Sequence, residues 1–157
     1  MGKLIVIAGT NASGKSGLGV ELASRYGGEI VSADSRQVFR GLDLGSGKIT
    51  PQEMRGVPHH LIDVCQPGDF FSMADFQRLA YAAIDGIQAR GKLPFLVGGT
   101  GLYVDAVAEG YELSDRAPDL ALRAELETHT TPELYQMLQK KLPGTEIDPR
   151  TRNRVMR

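Results

Sequence analysis

Residues Gly9, Thr10, Asn11, Ala12, Ser13, Gly14, Lys15 and Ser16 read GTNASGKS, a G-x-x-x-x-G-K-S spacing. That spacing cradles phosphates. Glycines let successive backbone N–H groups turn inward as a nest, and the N-terminus of a following helix adds partial positive charge. Lys15 supplies a point charge for the outer phosphates, and the Ser16 hydroxyl can ligate Mg²⁺. A chain with 19 glycines can match such a pattern by chance. The flanks weigh against that here: KLIVIA at 3–8 reads as a strand and KSGLGVELASRY as a helix.

Asp34 follows EIVSA at 29–33, a second aliphatic strand. The carboxyl edge of an open α/β sheet lines the ligand crevice. A carboxylate there can ligate Mg²⁺ or act as a general base. Position alone does not separate this role from a loop-capping one with a solvated side chain. GGTG at 98–101 ends a third strand, LPFLV, at the same edge. Its glycines permit close approach of a ligand, and Thr100 offers a hydroxyl. Read alone, a plain strand-to-helix turn is the simpler account. Many nucleotide-binding folds of this type place an Asp at the end of such a strand; here the strand ends in Gly-Gly, which leaves Asp34 as the one well-placed carboxylate.

His59 and His60 are adjacent in a strand-like segment, so their side chains point opposite ways, which suits packing or hydrogen bonding better than one metal ion. Tyr103, Tyr111 and Phe39 read as core or rim aromatics. Four arginines, Arg150, Arg152, Arg154 and Arg157, lie in the last eight residues. Composition alone favours a solvated helix face there over a phosphate contact.

The elements that must position these residues can be traced by pattern. KLIVIA suits a central parallel strand buried on both faces. In the helix after the phosphate loop, Leu18 and Leu22 share a face, while Gly17 and Gly19 weaken the helical signal. The segment DSRQVFRGLDLGSGKITPQE is polar and Gly-rich and reads as a functional loop. Ser72 and Asp75 form a capping-box pattern, and Phe76, Leu79, Ala80, Ala83, Ile84 and Ile87 then mark one helical face up to Gly91. A short helix follows over about 101–109. From Ser114 the texture changes: Pro118 and Pro132 read as first-turn prolines of two polar helices, with Thr131 capping the second. The last residues read as a helix just starting. The expected organisation is an α/β core over 1–113, a parallel sheet flanked by helices, and a helical region over 114–157.

Composition narrows the function classes. The chain has 157 residues, 41% hydrophobic and 24% charged, with a net charge of −1. That charge does not announce a nucleic-acid partner, so any basic surface must be local. The single cysteine, Cys65, permits no internal disulfide, which fits the cytoplasm. The N-terminal apolar run is too short to span a membrane. Met-Gly could invite myristoylation, but position 6 is Val rather than Ser or Thr. On the residues alone, two readings stand: a nucleotide or small-molecule kinase that binds ATP and Mg²⁺, and a nucleotide-binding regulatory module. Asp34 in a crevice argues against the second.

The ordered segments GTNASGKS, GEIVSADSRQVFRGLDLGSGK, GVPHHLID, FSMADF and ARGKLPFLVGGTGLYVDAVAEG resemble the tRNA dimethylallyltransferase family, the isopentenyl transferases, which includes adenylate-modifying cytokinin synthases. IDPRTRNRVMR resembles a later segment of the same family. The resemblance implies a P-loop NTPase-like fold put to another use. The ligand would be dimethylallyl diphosphate and the leaving group pyrophosphate, held by the loop, by Lys15 and by Mg²⁺ on Ser16. The acceptor would be the N6 amine of an adenosine in tRNA, next to the anticodon, with AMP as the alternative acceptor. Asp34 matches the family's base. Ser35, Arg36 and Gln37 match its adenine- and RNA-contacting stretch, Thr100 a residue at the reacting groups, and Arg123 a tRNA contact. The resemblance also implies chains about twice this long, so a fragment or truncated form, a monomer with no membrane attachment, is expected.

Overall fold

The structure, a computed structural model, describes residues 2–113 and 119–156. It divides into two compact units, Met1–Ser114 and Asp115–Arg157. Ser114 and Pro118, where the sequence changes texture, and Arg157 lie outside the described residues.

In the first unit, β1 (Ile5–Ala8), β2 (Glu29–Ser32), β3 (His59–His60) and β4 (Pro94–Gly98) form one parallel sheet in the order β1-β4-β2-β3. Helices α1 (Lys15–Tyr26), α2 (Pro51–Met54), α3 (Met73–Ala89) and α4 (Gly101–Ala108) complete this α/β unit. Side chains alternate across β2 and β4. Ile30, Phe95 and Val97 meet Val20 and Ala23 of α1 on one face. Val31 and Leu96 meet α3 and α4 on the other. The α3 face expected from spacing is the buried one: Phe76, Ala80, Ile84 and Ile87 are buried and Leu79 and Ala83 pack partly against them. Each large side chain so buried stabilises the fold by about 1.5–3 kcal/mol. The Ser72–Asp75 capping box is formed, and Gly91 follows the helix at φ +70°.

Four expectations need correction. The KLIVIA strand is not central. Among the described residues β1 is an edge strand, paired only with β4, and Val6 is 40% exposed. An aliphatic run announces a strand but not its place in the sheet. The buried face of α1 is Gly19, Val20 and Ala23, whereas Leu18 is exposed and Leu22 half-buried. Gly19 is there for proximity: a Cβ on it would lie 3.0 Å from Val97 Cγ2. The polar loop also holds a turn of helix, α2, closed by Thr50 and Glu53. Finally, Thr130 rather than Thr131 caps the second polar helix, because Glu133 accepts from the Thr130 N–H at 2.7 Å.

The second unit contains α5 (Leu120–Glu127), α6 (Thr131–Lys141) and α7 (Arg152–Val155), with no strand among its described residues. Asp119 caps α5 through the Leu122 N–H at 2.9 Å. The C-terminal arginines are partly spent on internal partners. Arg152 donates to His129 O at 2.8 Å and Glu127 O at 3.0 Å, and Arg150 pairs with Asp148 at 3.0 Å. Arg152 is thus a tie between segments of this unit rather than a solvated face.

Candidate functional site

The carboxyl ends of β1, β2 and β4 lie side by side, and each runs into a segment that carries candidate chemistry. A crevice of about 760 Å³ opens there. The phosphate loop lines it from Asn11 through Ser16, the stretch after β2 from Asp34 through Gln37, and the end of β4 through Gly98, Gly99 and Thr100. Gly9 and Thr10 are not among the lining residues. Thr10 contributes its carbonyl, which accepts from the Lys15 ammonium. Arg123 belongs to the second unit, on the exposed face of α5, where it makes a loose pair with Glu127 at 3.8 Å.

The phosphate loop is shaped for an anion. Gly14 precedes α1 at φ 82°, which a side chain would resist, and no side-chain cap closes the helix. The first turn of α1 also has no acidic residue, so its N–H groups are left for a ligand. Helices α3, α5 and α6 contrast with this, since Asp75, Asp119 and Glu133 respectively satisfy their ends. Ala12 is held at φ 61°, a strained setting for a residue with a side chain. Lys15 folds back on its own loop, donating to Thr10 O and lying 3.4 Å from Ser13 Oγ. A bound anion would replace these two acceptors.

Asp34 fixes its own turn and also lines the crevice. Its Oδ1 accepts from the Arg36 N–H at 2.8 Å and the Gln37 N–H at 3.3 Å, which fixes the turn and the carboxylate plane. The same carboxylate faces the crevice, and it is the only one among the described lining residues. Thr100 joins it from β4. Thr100 Oγ1 accepts from the Ser35 N–H at 3.0 Å and lies 3.3 Å from Ser35 Oγ. Like α1, helix α4 starts at the crevice without a side-chain cap, because the Thr100 hydroxyl is committed across the sheet instead.

GGTG is therefore a close-packed approach as well as a turn. A Cβ on Gly98 would lie 2.0 Å from Ala33 O, and one on Gly99 2.9 Å from Asn11 Oδ1. Gly98 lets β4 lie against β2, while Gly99 lets the end of β4 lie against the phosphate loop. Gly45, Ser46, Gly47 and Ile49 of the polar loop line the crevice without having been singled out as site residues, and His59, expected to pack or hydrogen-bond, lines it too. The alternation of glycines in GSG was the available signal. His59 Nδ1 lies 2.8 Å from Val57 O, and burial pushes its pKa down, against that hydrogen bond. His60 points elsewhere, to Glu29 Oε2 at 2.7 Å. Tyr103 is buried and stacks on Phe76 with ring centroids 4.0 Å apart, while Tyr111 is 37% exposed.

A parallel sheet whose first strand turns through a glycine-rich phosphate loop into a helix N-terminus defines a P-loop NTPase-like α/β protein. Within that class, the chain belongs to the IPP transferase family, whose model matches residues 37–157. It is 52% identical over 146 residues to a tRNA dimethylallyltransferase of Exiguobacterium sp., covering 93% of this chain and 46% of that protein. A Roseiflexus sp. tRNA dimethylallyltransferase is 51% identical over 146 residues, covering 93% and 47%. Among solved structures, the full-length tRNA isopentenylpyrophosphate transferase of Bacillus halodurans superposes with a TM-score of 0.70 at 48% identity, covering 98% of this chain and 53% of that one. A eukaryotic dimethylallyltransferase acting on tRNA gives a TM-score of 0.80 at 30% identity, covering 99% and 40%. The chain thus spans about half the length of the curated relatives it matches.

Proposed function

We propose that this chain carries the reaction centre of a prenyltransferase that moves a dimethylallyl group from dimethylallyl diphosphate to N6 of an adenosine in tRNA. One observation carries the reading: a single carboxylate, Asp34, shares a crevice with an uncapped phosphate loop. A phosphate loop alone fits a kinase equally well. The family and the names of its relatives favour prenyl transfer.

In this reading the phosphate loop and Lys15 hold the diphosphate and stabilise the charge that builds on it as it leaves. The C1–O bond of the allyl diphosphate breaks, and its electron pair departs with pyrophosphate. The N6 lone pair forms the new C–N bond. An aromatic amine is a poor nucleophile, and Asp34 accepts its proton as the bond forms. Thr100 and Ser35, bonded to each other, would hold the reacting groups between the two ends of the crevice. Arg36 and Gln37 would flank the adenosine, which must be splayed from its loop to enter. Arg123 would serve as a further tRNA contact.

The residues present fit Mg²⁺. The Ser16 hydroxyl and the Asp34 carboxylate put oxygen donors on one crevice, as this hard cation prefers. No group of three or more His, Cys, Asp or Glu side chains placed to hold a metal ion occurs among the described residues, so diphosphate and water would complete the shell around an ion on Ser16. Bound there, the ion would neutralise charge on the diphosphate. No described helix is long and apolar enough to cross a membrane. A cytoplasmic, monomeric enzyme is the form we propose.

Radiolabelled dimethylallyl diphosphate offered with undermodified tRNA, and in parallel with AMP, tests the reading. Label is expected in tRNA and not in AMP. Label in AMP would reassign the acceptor. Phosphate transfer from ATP to a small acceptor, without prenyl transfer, would overturn the proposal in favour of a kinase.

A further inference from the structure

Lys48 lies in the GSGK segment of the polar loop and takes no direct part in the crevice. Its side chain is 6% exposed. An ammonium has three donors and no acceptor, so burying one demands three partners. Lys48 has them: Asp43 Oδ1 at 2.7 Å, Phe39 O at 2.9 Å and Asp63 Oδ1. Burial by itself lowers its pKa, and the hydrogen bonds it donates to Asp43 and Asp63 outweigh that, so the net direction is up. All three donors are therefore spent on protein.

Phe39 and Asp43 belong to the loop that Lys48 closes, and Asp63 to a separate turn. Asp63 sits in a turn where Leu61 has φ 64° and Asp63 φ 57°. Leu61 is a bulky residue, buried at 7% exposure, in a conformation that favours glycine. Such a turn persists only where its surroundings hold it. Its holders are visible: Asp63 N donates to Gln37 O at 3.1 Å, Arg40 Nε donates to Asp63 O at 2.8 Å, and Lys48 grips the carboxylate. On the other side, Lys48 N donates to Asp43 O at 3.0 Å, closing the loop whose residues Gly45, Ser46 and Gly47 face the crevice. One ammonium thus connects the strained turn, the stretch that follows Gln37, and the crevice-facing loop. None of its bonds reaches the phosphate loop.

We propose that Lys48 is a positioning residue for the acceptor: it fastens the 39–48 loop to the Leu61–Asp63 turn and so fixes the crevice wall beside Arg36 and Gln37. This rests on the reading of that wall as the adenosine side of the crevice. Removing one member of an ion pair is strongly destabilising where it leaves a buried charge, but Asp43 and Asp63 are 66% and 46% exposed, so water can take over their carboxylates. A substitution can therefore separate wall geometry from folding.

The test uses Lys48→Met and Lys48→Arg in the same chain, with near-ultraviolet circular dichroism to establish that each is folded. Amide hydrogen exchange is read over residues 41–49, inorganic pyrophosphate binding is read by calorimetry, and KM and kcat are read with tRNA. In Lys48→Met, exchange over the loop is expected to rise by about tenfold or more, and acceptor KM by about tenfold, with pyrophosphate affinity within about twofold. Lys48→Arg, which keeps the charge, should recover most of the KM. If Lys48→Met does not fold, the Asp43→Asn/Asp63→Asn pair weakens the same fastening and should speed loop exchange. Unchanged exchange in a folded variant would overturn the proposal, as would equal losses in pyrophosphate and acceptor affinity. Failure of the unsubstituted chain to transfer the prenyl group would instead sink the functional reading, and the exchange comparison would still decide whether Lys48 fastens the wall.

Discussion

Thr100 Oγ1 accepts a hydrogen bond from the Ser35 backbone nitrogen at 3.0 Å, across 65 positions of sequence. This bond joins the end of β4 to the segment that carries Asp34. It makes the Thr100 hydroxyl a structural acceptor in addition to any part it takes in chemistry.

Thr100→Ala leaves the Ser35 N–H without that partner, at a cost of about 1–3 kcal/mol. Thr100→Ser keeps the oxygen. The expected ranking in thermal unfolding and in prenyl transfer is unsubstituted, then Ser, then Ala. Equal Tm for the Ala and Ser variants would show that the bond contributes nothing.

Asp34→Asn separates the two duties of that carboxylate. The amide oxygen can still accept from the Arg36 and Gln37 N–H groups, so Tm should hardly change. An amide cannot take the N6 proton, so kcat should fall by about 10²–10⁴ while pyrophosphate binding holds. Transfer within a few-fold of normal would remove Asp34 from the role of base.

The two glycines before Thr100 should fail differently. In Gly98→Ala the new methyl meets backbone, at 2.0 Å from Ala33 O, so β4 and β2 must part. A loss of about 2–4 kcal/mol is expected in denaturant unfolding. In Gly99→Ala the nearest atom is a side-chain oxygen, Asn11 Oδ1 at 2.9 Å, which can move. Stability should survive, and pyrophosphate affinity should drop as the phosphate loop is displaced. Lys15→Ala is expected to weaken that affinity too.

Acid should unfold the first unit through Glu29. This buried carboxylate at the start of β2 meets Arg90 at 2.6 Å, His60 at 2.7 Å and Lys92 at 2.9 Å. Hydrogen bonding to Arg90 is the largest influence. Burial opposes it, His60 and Lys92 support it, and together they bring the carboxyl from its ordinary 4.5 down to about 2. A depressed carboxylate pKa stabilises the fold fully above pH 4.5, and that stability is lost as pH falls towards about 2. The shift alone corresponds to about 3 kcal/mol, and screening of the half-exposed Arg90 and Lys92 reduces it to about 2. Glu29→Gln should lower Tm at pH 7 and flatten this acid limb. An unchanged acid limb in the variant would place the sensitivity elsewhere.

The sequence by itself determined what is local. GTNASGKS specifies a phosphate nest because the glycine spacing and the strand–loop–helix context act within a few residues. Ser72, Asp75 and the Phe76-to-Ile87 spacing specify α3 for the same reason: a capping box and a helical face are short-range facts. Tertiary structure alone decided what depends on distant partners. An aliphatic run cannot announce whether it will have one neighbour or two, so β1 was legible as a strand and not as an edge. Gly19 looked like a defect in a helix until Val97 lay against it. The reach of Thr100 to Ser35 and the closeness of Gly99 to Asn11 have the same cause. Each is a contact between segments far apart in the chain, made where parallel strands bring their carboxyl ends together.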